Sequence, residues 1–413
     1  MIWKLALIVL FIESIRKYFF NSVYLLLTLD LFLILFFILY GIINKKFAYV
    51  FSIVFLASLF LSVVNAVLHK EIPLYIFAQF REFLPFIAGW AIGSSFRFKI
   101  FIKDLNILSL ILVCISVFAV LQIYSTPTGF LNYIPASQVM GSSGGFGGYA
   151  KEVEELYGGT LFRPSLVFMV TGKYGTFVAA ITIFLTSLLL IFNIRGFRFF
   201  IYISILLIAN IVAMQRAFFY PYIFFLVALV VYRLFNGRKN KFYIFTSLFL
   251  ILFTILFSNN NPIYDRFLTF PVEIFQRFTD LGLLGTLFSS EIIYFGRGPG
   301  YFSNYSQALG GGFFSDYFGG EGGWHMLVAN YGLILPIILL LWILYSFINT
   351  WKTFPKNQRT IECMSFSTFI GFILILWGYT HNIYASSYFI FVSIISIAIL
   401  VRDCHNTLNE ESR

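Results

Sequence analysis

The segment SVYLLLTLDLFLILFFILYGII, residues 22 to 43, carries one charge, Asp30, over the full length of a helix that crosses a bilayer. Comparable runs recur along the chain, and they decide the fold class. A transmembrane β-barrel would show strands of about ten residues with alternating character, whereas these runs are continuously apolar. A soluble chain is excluded as well, because 11% charged residues against 60% hydrophobic ones cannot build a water-facing surface. The expectation is an all-α, polytopic transmembrane helix bundle.

Apolar runs read against their charged interruptions place spans at residues 2 to 20, 22 to 43, 47 to 68, 72 to 95, 105 to 123, 165 to 192, 199 to 214, 217 to 235, 242 to 257, 326 to 348, 363 to 380 and 383 to 401. The first and fourth are marked by internal charges: Glu13, Arg16 and Lys17 in one, Arg81 with Glu82 in the other. No small-x-small cleavage site follows Leu5 to Ile12, so residues 2 to 20 read as an uncleaved first helix. Five connections hold Lys45 and Lys46; Arg97, Lys99 and Lys103; Arg195 and Arg198; Arg233, Arg238, Lys239 and Lys241; and Lys352, Lys356 and Arg359. By the positive-inside rule these face the cytoplasm. Acidic side chains collect in the alternate connections, and the alternation works only if all twelve spans cross, which leaves both termini inside. The net charge of +10 is thereby absorbed by topology and by anionic lipid, and nucleic acid is not expected as a partner. Cys114, Cys363 and Cys404 imply neither a disulfide nor a metal site.

The whole chain, residues 1 to 413, reads as a single integral membrane domain with two long outer connections, 124 to 163 and 258 to 325. The first holds GSSGGFGG and KEVEE. The second has apolar, helix-compatible stretches around Ile263 to Leu287 and then ten glycines between residues 296 and 323, interleaved with Phe, Tyr and Trp. Glycine at that density lets backbone approach a ligand closely, and the interleaved aromatics argue for a structured active-site loop over a linker.

Ionisable residues at outer span ends are the chemical candidates, because charge in a bilayer is costly and tends to be kept for a reason. Arg163 precedes Pro164 at the expected start of a span, Arg216 lies in the turn MQRAFF, and His325 precedes the span at Met326. All three are expected at one membrane level. Lys173, ten residues after Arg163, is expected to lie about 15 Å deeper if the helix starts at Pro164. Arginine at a span end also serves as a lipid-phosphate anchor, and Arg81 with Glu82 reads as a buried structural contact. No P-loop, dinucleotide fingerprint, HExxH or GxSxG motif occurs, and no DxD-type carboxylate pair lies in an outer loop, which argues against a metal-dependent transferase. No cofactor and no metal ligand set are expected.

On the stretches LFRPSLVFMVTGKYG at 161 to 175, AMQRAFF at 213 to 219, FGRGPGYF at 295 to 302 and WHMLVANYGLIL at 324 to 335, the chain resembles the O-antigen polymerase and O-antigen ligase superfamily of bacterial polysaccharide assembly. The motif likeness covers roughly residues 160 to 345. The chain lacks the His-x-His-Asn form of the ligases and reads EGGWHM instead, which favours the polymerase.

The resemblance implies a GT-C-like membrane glycosyltransferase of the inner membrane with its active site on the outer face. It would join undecaprenyl-diphosphate-linked oligosaccharide repeat units of O-antigen or capsule type by metal-independent, inverting transfer. A flippase and a chain-length regulator are the implied partners. Arg163 and Arg216 would hold the departing diphosphate, and His325 would take the acceptor proton, with Glu321 and Asp316 as further candidates. Lys173, Arg266, Arg277, Arg297, Gly298, Gly300 and Glu321 would contact substrate. The rival readings are the ligase, which transfers a finished glycan once to a lipid A-core or another acceptor, and a lipid-linked oligosaccharide transporter. A transporter would require charges along a mid-membrane path and pseudo-symmetric halves.

Overall fold

The computed structural model describes residues 2–18, 60, 64, 67–68, 89, 93, 102–124, 133–134, 145–146, 166–168, 171–213, 216–236, 332–334, 337, 341, 345, 348, 351–352, 358–380 and 387–411. Among the described residues there are seven helices: α1 (Ile2–Tyr18), α2 (Ile102–Tyr124), α3 (Thr171–Ile191), α4 (Gly196–Val212), α5 (Arg216–Asn236), α6 (Gln358–Thr380) and α7 (Ser387–Glu411). A two-residue antiparallel ladder accompanies them, β1 (Tyr133–Ile134) on β2 (Gly145–Phe146), with Tyr133 opposite Phe146. Part of the first long connection is thus paired backbone, although the sequence reading assigned it no strand. The expected spans at 22 to 43 and 242 to 257 lie outside the described residues.

The chain packs as two compact units. The first comprises Met1–Leu26 and Arg97–Phe270, the second Leu27–Phe96 and Pro271–Arg413.

In the first unit α3 is the central helix. Its apolar residues from Tyr174 to Leu190 are buried on every side, as an all-round apolar helix requires. By contrast, α2 has two faces. Leu105, Leu108, Leu112, Ile115 and Ala119 are buried, while Leu110, Val113, Val117 and Leu121 stand exposed at helical spacing. Both faces are apolar. α3 ends in a tight reversal: Asn193 takes a left-handed φ of 50°, and the N–H of Ile194 reaches back to Leu189 O at 2.9 Å. Arg195 Nε donates to Asn193 Oδ1 at 2.7 Å across this turn, and Gly196 (φ 66°) opens α4. The short connection makes α3 and α4 an antiparallel hairpin, and α5 begins three residues after Ala213, the last described residue at the end of α4.

Buried hydroxyls and an amide join the three helices. Asn210 Nδ2 of α4 donates to Thr182 Oγ1 of α3 and to Leu206 O, both at 2.8 Å. Thr186 Oγ1 gives its proton to Thr182 O, so the Tyr222 hydroxyl of α5 donates to Thr186 Oγ1, again at 2.8 Å. In an apolar interior such bonds are specific glue worth about 0.6 kcal/mol each on average. Arg233 lies near the end of the span expected at 217 to 235; it is helical and buried, with its guanidinium 4.4 Å from the Phe199 ring centre. The aromatic face takes up part of this charge.

In the second unit α6 packs against α7, and Arg359 of α6 pairs with Asp403 of α7 at 2.6 Å. Arg359 therefore has a structural partner besides any topological role. Next to it, burial draws the Arg402 guanidinium down from its ordinary value while Asp403 opposes the shift; an arginine stays charged regardless. Gly89 and Gly93 are both helical and one turn apart, and α7 closes on them. A Cβ on Gly93 would lie 2.5 Å from that of Ala398, and one on Gly89 would lie 2.9 Å from Phe391 O. Ile334, Ile337, Leu341, Tyr345 and Ile348 are helical and exposed on one face. A turn at Gly332, with φ of 72°, precedes them; the expected span start at Met326 lies outside the described residues. Cys114, Cys363 and Cys404 are free thiols.

Candidate functional site

The sequence reading starts a helix at Pro164; the structure starts it at Thr171. Residues 166–168 form a turn, with Leu166 at a left-handed φ of 49° that a leucine adopts only under constraint. The constraint is Gln122, buried near the C-terminal end of α2, whose Oε1 accepts the Leu166 N–H at 2.8 Å. Phe168 then folds back on the first turns of α3, its ring centre 6.2 Å from Tyr174 and 5.1 Å from Phe177. Lys173 is consequently the third residue of α3. The expectation that it lies 15 Å into a helix begun at Pro164 is corrected.

Two helices of this unit begin at the same end. The reversals after α3 and α4 put the N-termini of α3 and α5 together with the C-terminal ends of α2 and α4. Their register follows from the buried bonds. Thr182 is level with Asn210 and Thr186 with Tyr222, so Arg216, six residues before Tyr222, is level with residue 180 of α3. Lys173 lies seven residues beyond that level, or about 10 Å along the axis at 1.5 Å per residue. Lys173 therefore stands farther out than the backbone of Arg216.

Neither α3 nor α5 has an acidic residue in its first turn; each has a cation there instead, Lys173 and Arg216. Helix N-termini carry unpaired N–H groups and the positive end of the macrodipole, so the stabilising choice is Asp or Glu. A cation at each N-terminus adds positive charge to positive potential, and the arrangement is suited to an anion. Lys173 is half-buried, and its carbonyl accepts Thr176 Oγ1 at 2.9 Å.

Other residues expected in the site, namely Arg163, Arg266, Arg277, Arg297, Gly298, Gly300, Asp316, Glu321 and His325, lie outside the described residues. Sequence reasoning missed Gln122 and Tyr174. Gln122 was detectable as an amide near the end of an apolar run, whereas Tyr174 had no distinguishing mark. Among the described residues no group of three or more His, Cys, Asp and Glu side chains could hold a metal ion.

The described residues are thus helical apart from the short β1–β2 ladder, and two helices, α2 and α3, are long and apolar enough to cross a membrane. No protein-family model matches the chain, and no curated protein or solved structure is significantly similar to it.

Proposed function

We propose that the chain is a twelve-span membrane glycosyltransferase that polymerises polyprenyl-diphosphate-linked oligosaccharide repeat units at the outer face of a bacterial inner membrane. The observation that carries this reading is the pair of cations, Lys173 and Arg216, in the first turns of two helices that open at one end of the unit, neither first turn holding an acidic residue. Their axial separation of about 10 Å suits a group larger than a single phosphate. The exposed apolar face of α2 supports the membrane setting, because a helix facing lipid needs no polar side.

In this reaction the acceptor hydroxyl oxygen bonds to the anomeric carbon of the donor sugar, and the bond from that carbon to the diphosphate oxygen breaks with inversion. The electron pair leaves on the diphosphate, whose growing negative charge Arg163, Lys173 and Arg216 stabilise without a metal. His325 takes the acceptor proton; an unperturbed imidazole titrates near 6.5, which suits a base at neutral pH.

The test is genetic. Arg163, Arg216 and His325 are replaced singly by Ala in cells lacking the native gene, membrane insertion is confirmed, and glycan length is scored on gels. Loss of long polymer is expected from each; full-length polymer from all three would refute the assignment.

A further inference from the structure

Tyr174 is 0% exposed, and its hydroxyl has no hydrogen-bond partner among the described residues. Burying a hydroxyl without a partner is unfavourable, and phenylalanine would fill the same space without that cost. Asn210 Oδ1 and Ser393 Oγ are also buried without partners. Asn210, however, uses its amide nitrogen twice within the bundle, and neither residue lies in a first helical turn. Tyr174 does: it is the fourth residue of α3, next to Lys173 at the positive end of that helix. Helical side chains lean toward the N-terminus of their helix, which carries the phenol toward this positive end.

We propose that the Tyr174 hydroxyl donates a hydrogen bond to a phosphate oxygen of the lipid-linked diphosphate, in a site completed by Lys173 and the N-terminus of α3. The assignment rests on the glycosyltransferase reading for its ligand class. A phenol O–H to an anionic oxygen is a short, strong bond, and it adds direction to the charge that Lys173 supplies. The Phe168 turn lies against Tyr174, with Leu166 at its strained left-handed position, so this turn is the segment that must yield to admit the phosphate.

The experiment uses the full chain in lipid nanodiscs, thermal unfolding as readout, and three probes: farnesyl diphosphate, farnesol and inorganic diphosphate. Farnesyl diphosphate should protect the wild type, farnesol should not, and inorganic diphosphate should protect more weakly. Tyr174→Phe should melt at the wild-type temperature or above it without ligand, yet bind farnesyl diphosphate about ten- to a hundredfold more weakly. Lys173→Gln, which alters the half-buried side of the site, should weaken the same probe.

If Tyr174→Phe binds as tightly as the wild type, or lowers unliganded stability without changing affinity, the hydroxyl contact is wrong while the proposed activity stands. Equal protection by inorganic diphosphate would overturn the lipid-linked assignment. No protection of the wild type by either diphosphate would remove the glycosyltransferase reading together with this site.

Discussion

The approach of α7 to Gly93 gives a perturbation whose size can be worked out in advance. An alanine methyl at position 93 would lie 2.5 Å from the Ala398 Cβ, where two carbons settle at about 3.5–4.0 Å. The two segments must separate by about 1–1.5 Å, a displacement that close-packed helices resist at about 1–3 kcal/mol. Gly93→Ala should sit at the upper end of that range. Gly89→Ala, whose new methyl meets Phe391 O at 2.9 Å, should sit at the lower end. Ala398→Gly costs about 1 kcal/mol by helix propensity, but it vacates the space that the new methyl needs. The Gly93→Ala, Ala398→Gly double variant should therefore be more stable than Gly93→Ala, with part of the clash retained because Ile395 O and Cα lie 3.1 and 3.2 Å from the new methyl. Cys363 and Cys404 are buried, so a thiol-reactive dye in detergent reports the unfolding of this unit directly. A cost below about 0.5 kcal/mol for Gly93→Ala, or strict additivity of the two changes, would refute the packing argument.

Two further predictions concern the first unit. In a double-mutant cycle, Thr186→Val and Tyr222→Phe should couple by about 0.5–1.5 kcal/mol in detergent unfolding, since each removes one end of the same buried bond; zero coupling would mean that the bond contributes nothing. Gln122→Leu should leave the Leu166 N–H unsatisfied at about 1–3 kcal/mol and speed hydrogen exchange in a peptide covering 161 to 175, whereas Gln122→Glu keeps an acceptor and should exchange more slowly than Gln122→Leu. Unchanged exchange in Gln122→Leu would show that the turn holds itself.

Among the described residues, α2, α4, α5 and α6 lie close to the limits expected from apolar runs bounded by charge. The start of α3 was not legible, because Leu166 to Val170 is as apolar as the helix that follows. What turns that stretch out of helical geometry is an amide 44 residues away in sequence. The contact of Arg233 was not legible for a related reason: a basic residue at a span end carries no mark of the Phe199 ring beneath it. In the candidate site, Lys173 and Arg216 stood out as charges in apolar surroundings. Their relative depth did not, since it depends on the offset among α3, α4 and α5 that the Asn210 and Tyr222 bonds fix. Tyr174 is one of 25 tyrosines, and a hydroxyl without a partner can be recognised only after its neighbours are placed.

The most direct test of the account is to supply the purified chain, in nanodiscs, with a polyprenyl-diphosphate-linked oligosaccharide repeat unit and to resolve the lipid-linked products by size. The account predicts a ladder spaced by one repeat, one polyprenyl diphosphate released per step, and inversion at each new linkage. A single adduct on an added acceptor, or no product under conditions where farnesyl diphosphate binds, would contradict it.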